Sequence, residues 1–464
     1  MPYTSTNPYT NDVLARFPDA TDSEVDQVLD VAHGAFLEWR ETPMAERCAI
    51  LKRASDLMTA RRRELAELST LEIGRILPES LYEVDLTASI LDYYAHDAER
   101  ILQPERVTSV AGDAIVVYQP TGIIYAIEPF NGPFYQAIRP AAPQLALGNV
   151  VIVKQASILP QCAQALEDLL HEAGVPEGVF TNVYATHAQS ERIIADERVR
   201  GVTLTGSEAA GMIVAAQAGA ALKKSVLELG GSDAMLVLED ADLDLAVTCA
   251  VSARMAQSGQ ICVASKRIIV VGSRYAEFLG AYQAALAGLR GGDPLDESTT
   301  LGPLSSQGAA DKVTSQIRLA VEHGARAVEV GEKVPSRGAF VQPTILLDVT
   351  ADNPVFRQEI FGPVPMVFRV EDEEAAVALA NDTPFGLAGS VYSRDAAHAA
   401  DVARRIDTGM VWINSPAGTV ADLPFGGVKR SGYGYELGEA GIKEFANRKL
   451  IVTAAPASPP TPAE

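Results

Sequence analysis

Cysteine is scarce in this 464-residue chain: there are four, and none stands in a C-x-x-C pair. Cys48, Cys162, Cys249 and Cys262 are too few and too scattered for a disulfide framework, and a structural zinc site lacks its usual spacing signal. Histidine is also sparse, with six residues and no H-E-x-x-H. No apolar run reaches the roughly 18 residues of a membrane span. The opening residues 1–7 lack the basic-then-apolar pattern of a signal peptide. Basic residues are in deficit, with 38 Lys and Arg against 60 Asp and Glu and a net charge of −22. Such a surface repels phosphate backbones and anionic lipid, so neither nucleic acid nor a membrane is expected as a partner. No internal repeat is visible. These absences predict a cytoplasmic, reduced, soluble protein of roughly three domains at about 150 residues each.

Periodicity is present in abundance. The first hundred residues read as helical. Thr21 and Glu24 fit a capping box, after which Val25, Val28, Leu29, Ala32, Phe36 and Trp39 recur at helical spacing. A second helical stretch covers 46–101, interrupted near Gly74 and Pro78. From Gly122 onward, short apolar runs at 122–127, 150–153, 178–183, 202–205 and 234–238 alternate with helical segments such as 161–173 and 208–222. That alternation predicts α/β architecture with parallel, doubly wound sheets and a boundary near Glu228. Residues 106–118 and 449–453 read as extended strands outside the pattern, whose open edges call for a partner. Residues 454–464, rich in Pro and Ala, read as a disordered tail.

Taken singly, the chemically suggestive residues are ambiguous. Thr205-Gly206-Ser207 follows a strand and opens a helix, where amides and the positive helix end suit a pyrophosphate, yet many strand-to-helix turns carry Gly-Ser. Gly432 and Gly434 read as a flexible loop, because no strand precedes them in a βαβ unit. Cys262 lies in a turn between a helical stretch and the apolar run 268–271 and is a nucleophile or a small buried hydrophobe. Glu228 before its Gly-Gly turn is a base or a cap, and Asn131 between two prolines is a turn residue.

The ordered set is more telling. PFNGP at 129–133, GNVVIVK at 148–154, TGS at 205–207, ELGG at 228–231, GQIC at 259–262, EIFGP at 359–363 and PFGGVK at 424–429 occur in that order. Together they strongly resemble the aldehyde dehydrogenase superfamily over residues 7–452, most of all its short bacterial succinate-semialdehyde dehydrogenases. The resemblance implies a Rossmann-like cofactor domain (1–105 and 119–227), an α/β catalytic domain (228–425) and a small strand arm for oligomerisation (106–118 and 440–453). A homodimer or homotetramer is then expected.

The resemblance also implies roles. Cys262 attacks the aldehyde to give a thiohemiacetal, and the Asn131 amide with the Cys262 backbone N–H holds the oxyanion. Hydride loss leaves a thioester, which Glu228 hydrolyses by activating water; its presence argues against acyl transfer to coenzyme A. Lys154 contacts the adenosine ribose, Gly206 and Ser207 the pyrophosphate and Glu359 the nicotinamide ribose, with Phe361 packed alongside. Where NAD-specific members carry a glutamate three residues after the lysine, this chain has Ser157. A serine donates to a 2′-phosphate that a carboxylate repels, so NADP is expected, preferred or dual with NAD.

For substrate, Arg139 stands two helical turns beyond Asn131, at a position that in succinate-semialdehyde enzymes pairs with the distal carboxylate. Val263 and Phe425 line the same tunnel. The second arginine of many such enzymes is replaced by Ala256, with Arg254 nearby, and Gly132 stands where an aromatic residue is usual. A semialdehyde such as succinate semialdehyde is therefore expected, with an uncharged or aromatic aldehyde as the alternative. A cysteine hydrolase using Cys262 and Glu228, or a non-enzymatic protein that kept the fold, are the competing readings.

Overall fold

The computed structural model describes residues 3–454, so the tail read at 454–464 lies outside the described residues but for Ala454. Strands Ile123–Ile127, Val150–Lys154, Phe180–Asn182, Val199–Thr205 and Lys224–Glu228 form a parallel sheet. They are rich in β-branched residues and almost wholly buried, as a sheet covered on both faces requires. Helices Tyr135–Leu147, Pro160–Glu172, His187–Ala195 and Glu208–Ala220 make the crossovers. The Ile123–Ile127 and Val199–Thr205 strands are neighbours although two strands separate them in sequence. The crevice beyond their carboxyl ends is where such a sheet admits a ligand.

After Glu228 the chain enters a second, seven-stranded sheet in the order Arg326–Glu329, Thr344–Leu347, Met366–Val370, Ser265–Val271, Asp233–Val237, Ala388–Tyr392, Met410–Ile413. Only its Arg326–Glu329 edge is antiparallel. The chain then returns: Gly432–Tyr433 pairs antiparallel with the Lys224–Glu228 strand, opposing Gly432 to Glu228. Thus the segment read as a flexible glycine loop is a strand on the edge of the first sheet.

The N-terminal helices cover the first sheet. Asp22–Trp39 begins with the expected capping box on Thr21 and Glu24. Its Val25, Leu29, Ala32, Phe36 and Trp39 all join the core beside that sheet. Burying each large side chain of that set contributes about 1.5–3 kcal/mol, well above any propensity term. The helical stretch read over 46–101, interrupted near Gly74 and Pro78, is three helices, Met44–Ala60, Arg62–Ile73 and Leu77–Ile101, with a further break at Arg61. The break at Gly74 is as expected, whereas Pro78 starts a helix, where a missing N–H costs nothing.

The strand expected at 449–453 is present, whereas other extended segments depart from expectation. The opening is a hairpin of Tyr3–Thr6 and Val13–Phe17, whose short strands leave little periodicity to detect. Residues 106–118 are two strands, Glu105–Ser109 and Gly112–Gln119, folded back on each other. Asn447–Ala454 pairs with the latter and ends that three-stranded sheet with all eight residues exposed. Lys224–Glu228, missed beside its helix, alternates too briefly to stand out. Among the described residues no helix is long and apolar enough to cross a membrane.

Candidate active site

Cys262 sits between the 3-10 turn Ala256–Gly259 and the buried strand Ser265–Val271. Just before it, Gln257 and Ser258 hold left-handed backbone at φ 51° and 53°. Such conformations cost about 1–3 kcal/mol each and persist where surrounding bonds determine them. Here the Ser258 hydroxyl donates to Gly302 O (2.6 Å), the Gln257 N–H to Glu79 (3.0 Å) and the Gln257 side chain to Asn131 O (2.7 Å). Burial pushes the Cys262 thiol up to about 11, opposed by Arg139 and Lys266 and reinforced by Asp233 and Glu228.

Asn131 comes to the same cavity wall. One N–H of its amide donates to Gln260 O (3.0 Å), and its Oδ1 accepts from Gln136 (3.1 Å), leaving a second N–H on the same nitrogen. Its loop is clamped from below. Glu83 accepts the backbone N–H groups of Phe134 (2.9 Å) and Tyr135 (3.1 Å), capping helix Tyr135–Leu147. Arg75 pairs with Glu83 (2.7 Å) and also donates to Asn131 O. Arg75, Glu83, Gln136, Gln257 and Gln260 escaped the sequence reading. A glutamate at a buried helix position was the only signal for Glu83, and Arg75 lies in the loop between two helices, where nothing in the sequence marks it.

Glu228 ends its strand with a carboxyl that is 1% exposed and finds no hydrogen-bond partner among the described residues. Burial drives it well above the usual carboxylate range, with Arg139 opposing and Glu436 adding to the rise. A carboxyl so desolvated is a strong proton acceptor once ionised.

Arg139, expected to pair with the substrate's distal carboxylate, stands behind the cavity wall. It is 0% exposed and does not line the cavity. Its Nε pairs with Glu436, while its other nitrogens donate to the Tyr135 hydroxyl (2.8 Å) and Thr205 Oγ1 (2.8 Å). Its guanidinium carbon lies 4.5 Å from the centre of the Phe425 ring and 5.1 Å from that of Tyr135, both of which line the cavity. The charge is spent behind the wall. Arg254 is also fully buried and donates to the carbonyls of Gly259, Ile360 and Val364.

The cavity in front of Cys262 measures about 390 Å³ and is lined by Asn131, Tyr135, Ala256, Val263, Phe425 and Thr419 among others. Arg75 is the one cationic side chain on its wall, and it is paired with Glu83. Glu79 stands beside it, pushed up to about 7 by burial against a bond from Gln257 and the charge of Arg75. A wider hollow of about 520 Å³, lined by Glu24, Glu167, Asp168 and His171, shares no residue with this one.

On the opposite side, Gly206 and Ser207 cap helix Glu208–Ala220 at the crevice of the first sheet, with Ser207 Oγ accepting the Ala210 N–H (3.3 Å). Lys154 ends the Val150–Lys154 strand, two places along the same sheet, its ammonium donating to Gln155 O (3.3 Å) over the Tyr3 ring. Burial lowers the pKa of this ammonium, and the charge of Asp19 opposes that. Ser157 is exposed beside it and its carbonyl accepts the Thr4 N–H, so the N-terminal hairpin braces this loop. Glu359 takes the Gly231 N–H (3.1 Å), and Phe361 meets Phe130 edge-on at 6.1 Å. A helix N-terminus, a lysine with one weak acceptor and a distant carboxylate are a donor set that fits a dinucleotide.

Comparison with known proteins agrees with this geometry. Residues 1–451 match the model of the aldehyde dehydrogenase family. A succinate-semialdehyde dehydrogenase [NADP(+)] of Deinococcus radiodurans is 48% identical over 450 residues, covering 97% of this chain and 94% of the relative. A probable succinate-semialdehyde dehydrogenase [NADP(+)] of Synechocystis is 41% identical, covering 97% and 99%. Among solved structures, Gox0499 superposes with a TM-score of 0.96 at 49% identity, over 97% of this chain and 99% of that one. Succinic semialdehyde dehydrogenase from Streptococcus pyogenes, in complex with NADP+, does so with a TM-score of 0.96 at 43% identity, covering 98% and 100%.

Proposed function

The chain belongs to the aldehyde dehydrogenase family, and on that premise we propose that it oxidises succinate semialdehyde to succinate with NADP+. The observation that carries the reading is the meeting of Cys262 and the Asn131 amide on one cavity wall, while the Glu228 carboxyl, off that wall, is buried with its charge acting on the thiol.

The cysteine thiolate forms a C–S bond to the aldehyde carbon, and the carbonyl π pair moves onto oxygen. The free Asn131 N–H and the Cys262 backbone N–H receive that oxyanion. Lys154, Ser157, Gly206, Ser207, Glu359 and Phe361 would hold NADP+, which would supply the hydride acceptor that turns the thiohemiacetal into a thioester. Glu228 then takes a proton from water, whose oxygen displaces the Cys262 sulfur from the thioester, and the acid leaves. Val263 and Phe425 shape the channel. Arg139 serves as a positioning residue behind Tyr135 and Phe425.

An uncharged aldehyde is the second reading, favoured by the absence of an unpaired cation on the cavity wall. A panel of aldehydes with both cofactors, read by reduced-nicotinamide absorbance for wild type and Cys262→Ser, tests both. Turnover of succinate semialdehyde far above its uncharged length-match is expected with wild type. No cofactor reduction on any aldehyde by wild type would sink the proposal.

The open edge of Asn447–Ala454, with Leu450, Ile451 and Val452 exposed, supports strand pairing with a second copy in a homodimer or homotetramer. Light scattering checks this: a concentration-independent monomer contradicts it. Four unpaired cysteines suit a reducing, cytoplasmic setting.

A further inference from the structure

We propose that Lys266 is a positioning residue, a buried ammonium that ties the nucleophile's own peptide to the cofactor-side carboxylate Glu359. Lys266 lies in a strand whose seven residues are all buried, and its own side chain is 0% exposed. Its Nζ donates to Ile261 O (2.9 Å) and to Cys262 O, and it pairs with Glu359 at 3.2 Å. Glu359 is held in turn by the Gly231 N–H at 3.1 Å, and a Cβ at Gly230 would stand 2.3 Å from its other oxygen. The two glycines that follow Glu228 therefore form the seat of Glu359.

A buried ammonium is tolerated only when its donors are satisfied, and this one spends them on both peptides flanking the nucleophile's Cα and on a carboxylate. A compact ammonium with three rotatable donors suits that divergent geometry better than a planar guanidinium. The charge also faces the thiol. With Arg139 it favours the thiolate, whereas burial, Asp233 and Glu228 oppose it. Lys266 does not line the substrate cavity, so it acts through Cys262 and Glu359.

The inference rests on the proposed reading only in giving the Glu359 side to the cofactor. The test uses the full chain with Lys266→Gln, which keeps donors and removes the charge, and Lys266→Arg, which keeps the charge. Alkylation of Cys262 by iodoacetamide is followed against pH without cofactor or aldehyde, with Cys262→Ser as the blank; kcat and the KM for NADP+ are then measured. Lys266→Gln is expected to move the alkylation midpoint to higher pH, slowing the reaction about tenfold below it, and to raise the KM for NADP+ several-fold. Lys266→Arg is expected to recover the alkylation profile.

An unchanged profile in Lys266→Gln overturns the inference, and so does a shifted profile with an unchanged KM and kcat. Should Lys266→Gln fail to fold, Glu359→Gln breaks the same pair from its more exposed end. It leaves the ammonium uncompensated and is expected to move the midpoint to lower pH; a wild-type midpoint there is equally fatal. Alkylation needs neither cofactor nor substrate. A wild-type chain that alkylates but reduces no NADP+ thus defeats the oxidation reading alone.

Discussion

Arg139 and Glu436 form an ion pair behind the nucleophile, with side-chain exposures of 0% and 3%. Thr203 donates to the same carboxylate at 2.7 Å, and Thr205 accepts from the guanidinium at 2.8 Å, so the pair is locked to the first sheet. Removing one partner of such a pair costs about 3–5 kcal/mol. Arg139→Met should therefore lower the Tm and depress kcat/KM by the same factor for succinate semialdehyde and for an uncharged aldehyde of equal length. A loss confined to the charged substrate would restore Arg139 as a carboxylate clamp.

Glu228→Gln keeps the shape of the site and removes its proton acceptor. One equivalent of reduced nicotinamide per active site should form in a burst, followed by turnover slowed about 10²–10⁴-fold. Stopped-flow absorbance reads both phases. Loss of the burst along with turnover would assign Glu228 to thiol activation instead.

Burial holds the Cys262 thiol up at about 11, so it is protonated near neutrality, and raises the Glu228 carboxyl well above its usual range. Because each must lose its proton to act, kcat/KM should climb with pH across the alkaline range. A profile flat from about pH 7 to 9 would indicate a thiolate already present at rest.

Gly432→Ala should abolish activity with little gain or loss elsewhere in the sheet. Gly432 has φ 114°, and a Cβ there would stand 1.8 Å from Leu227 O, beside its ladder partner Glu228. The backbone of the Lys224–Glu228 strand must shift to relieve that contact. Normal turnover by this variant would show that the strand edge does not position Glu228.

Ser157→Glu should reverse the cofactor preference. A carboxylate beside Lys154 repels a 2′-phosphate and accepts from the ribose hydroxyls of NAD+. The ratio of kcat/KM for NADP+ and NAD+ is the measurement. An unchanged ratio would move the 2′-phosphate away from residue 157.

Much of the first sheet was legible because its strands are continuous apolar runs bounded by turn residues, and that pattern survives without tertiary context. The hairpin at Tyr3–Thr6 and Val13–Phe17 was not. Its strands are four and five residues long, and the second is largely exposed, so hydrophobic alternation is too brief to register. Lys266 was passed over for a related reason: a lysine in an apolar run reads as an edge residue until its acceptors are known.

By itself the sequence determined the family and the α/β architecture, and it singled out Cys262, Asn131 and Glu228 as the proposed chemical core. The architecture follows from local period, whereas the family and those three residues follow from the resemblance carried by the ordered motifs. Only the tertiary structure decided what the buried charges do. Arg139 meets a carboxylate 297 positions away, and Lys266 meets one on a separate loop. A guanidinium or ammonium is available to a substrate or consumed by the scaffold according to which anion the fold brings within reach, and its sequence neighbours do not specify that.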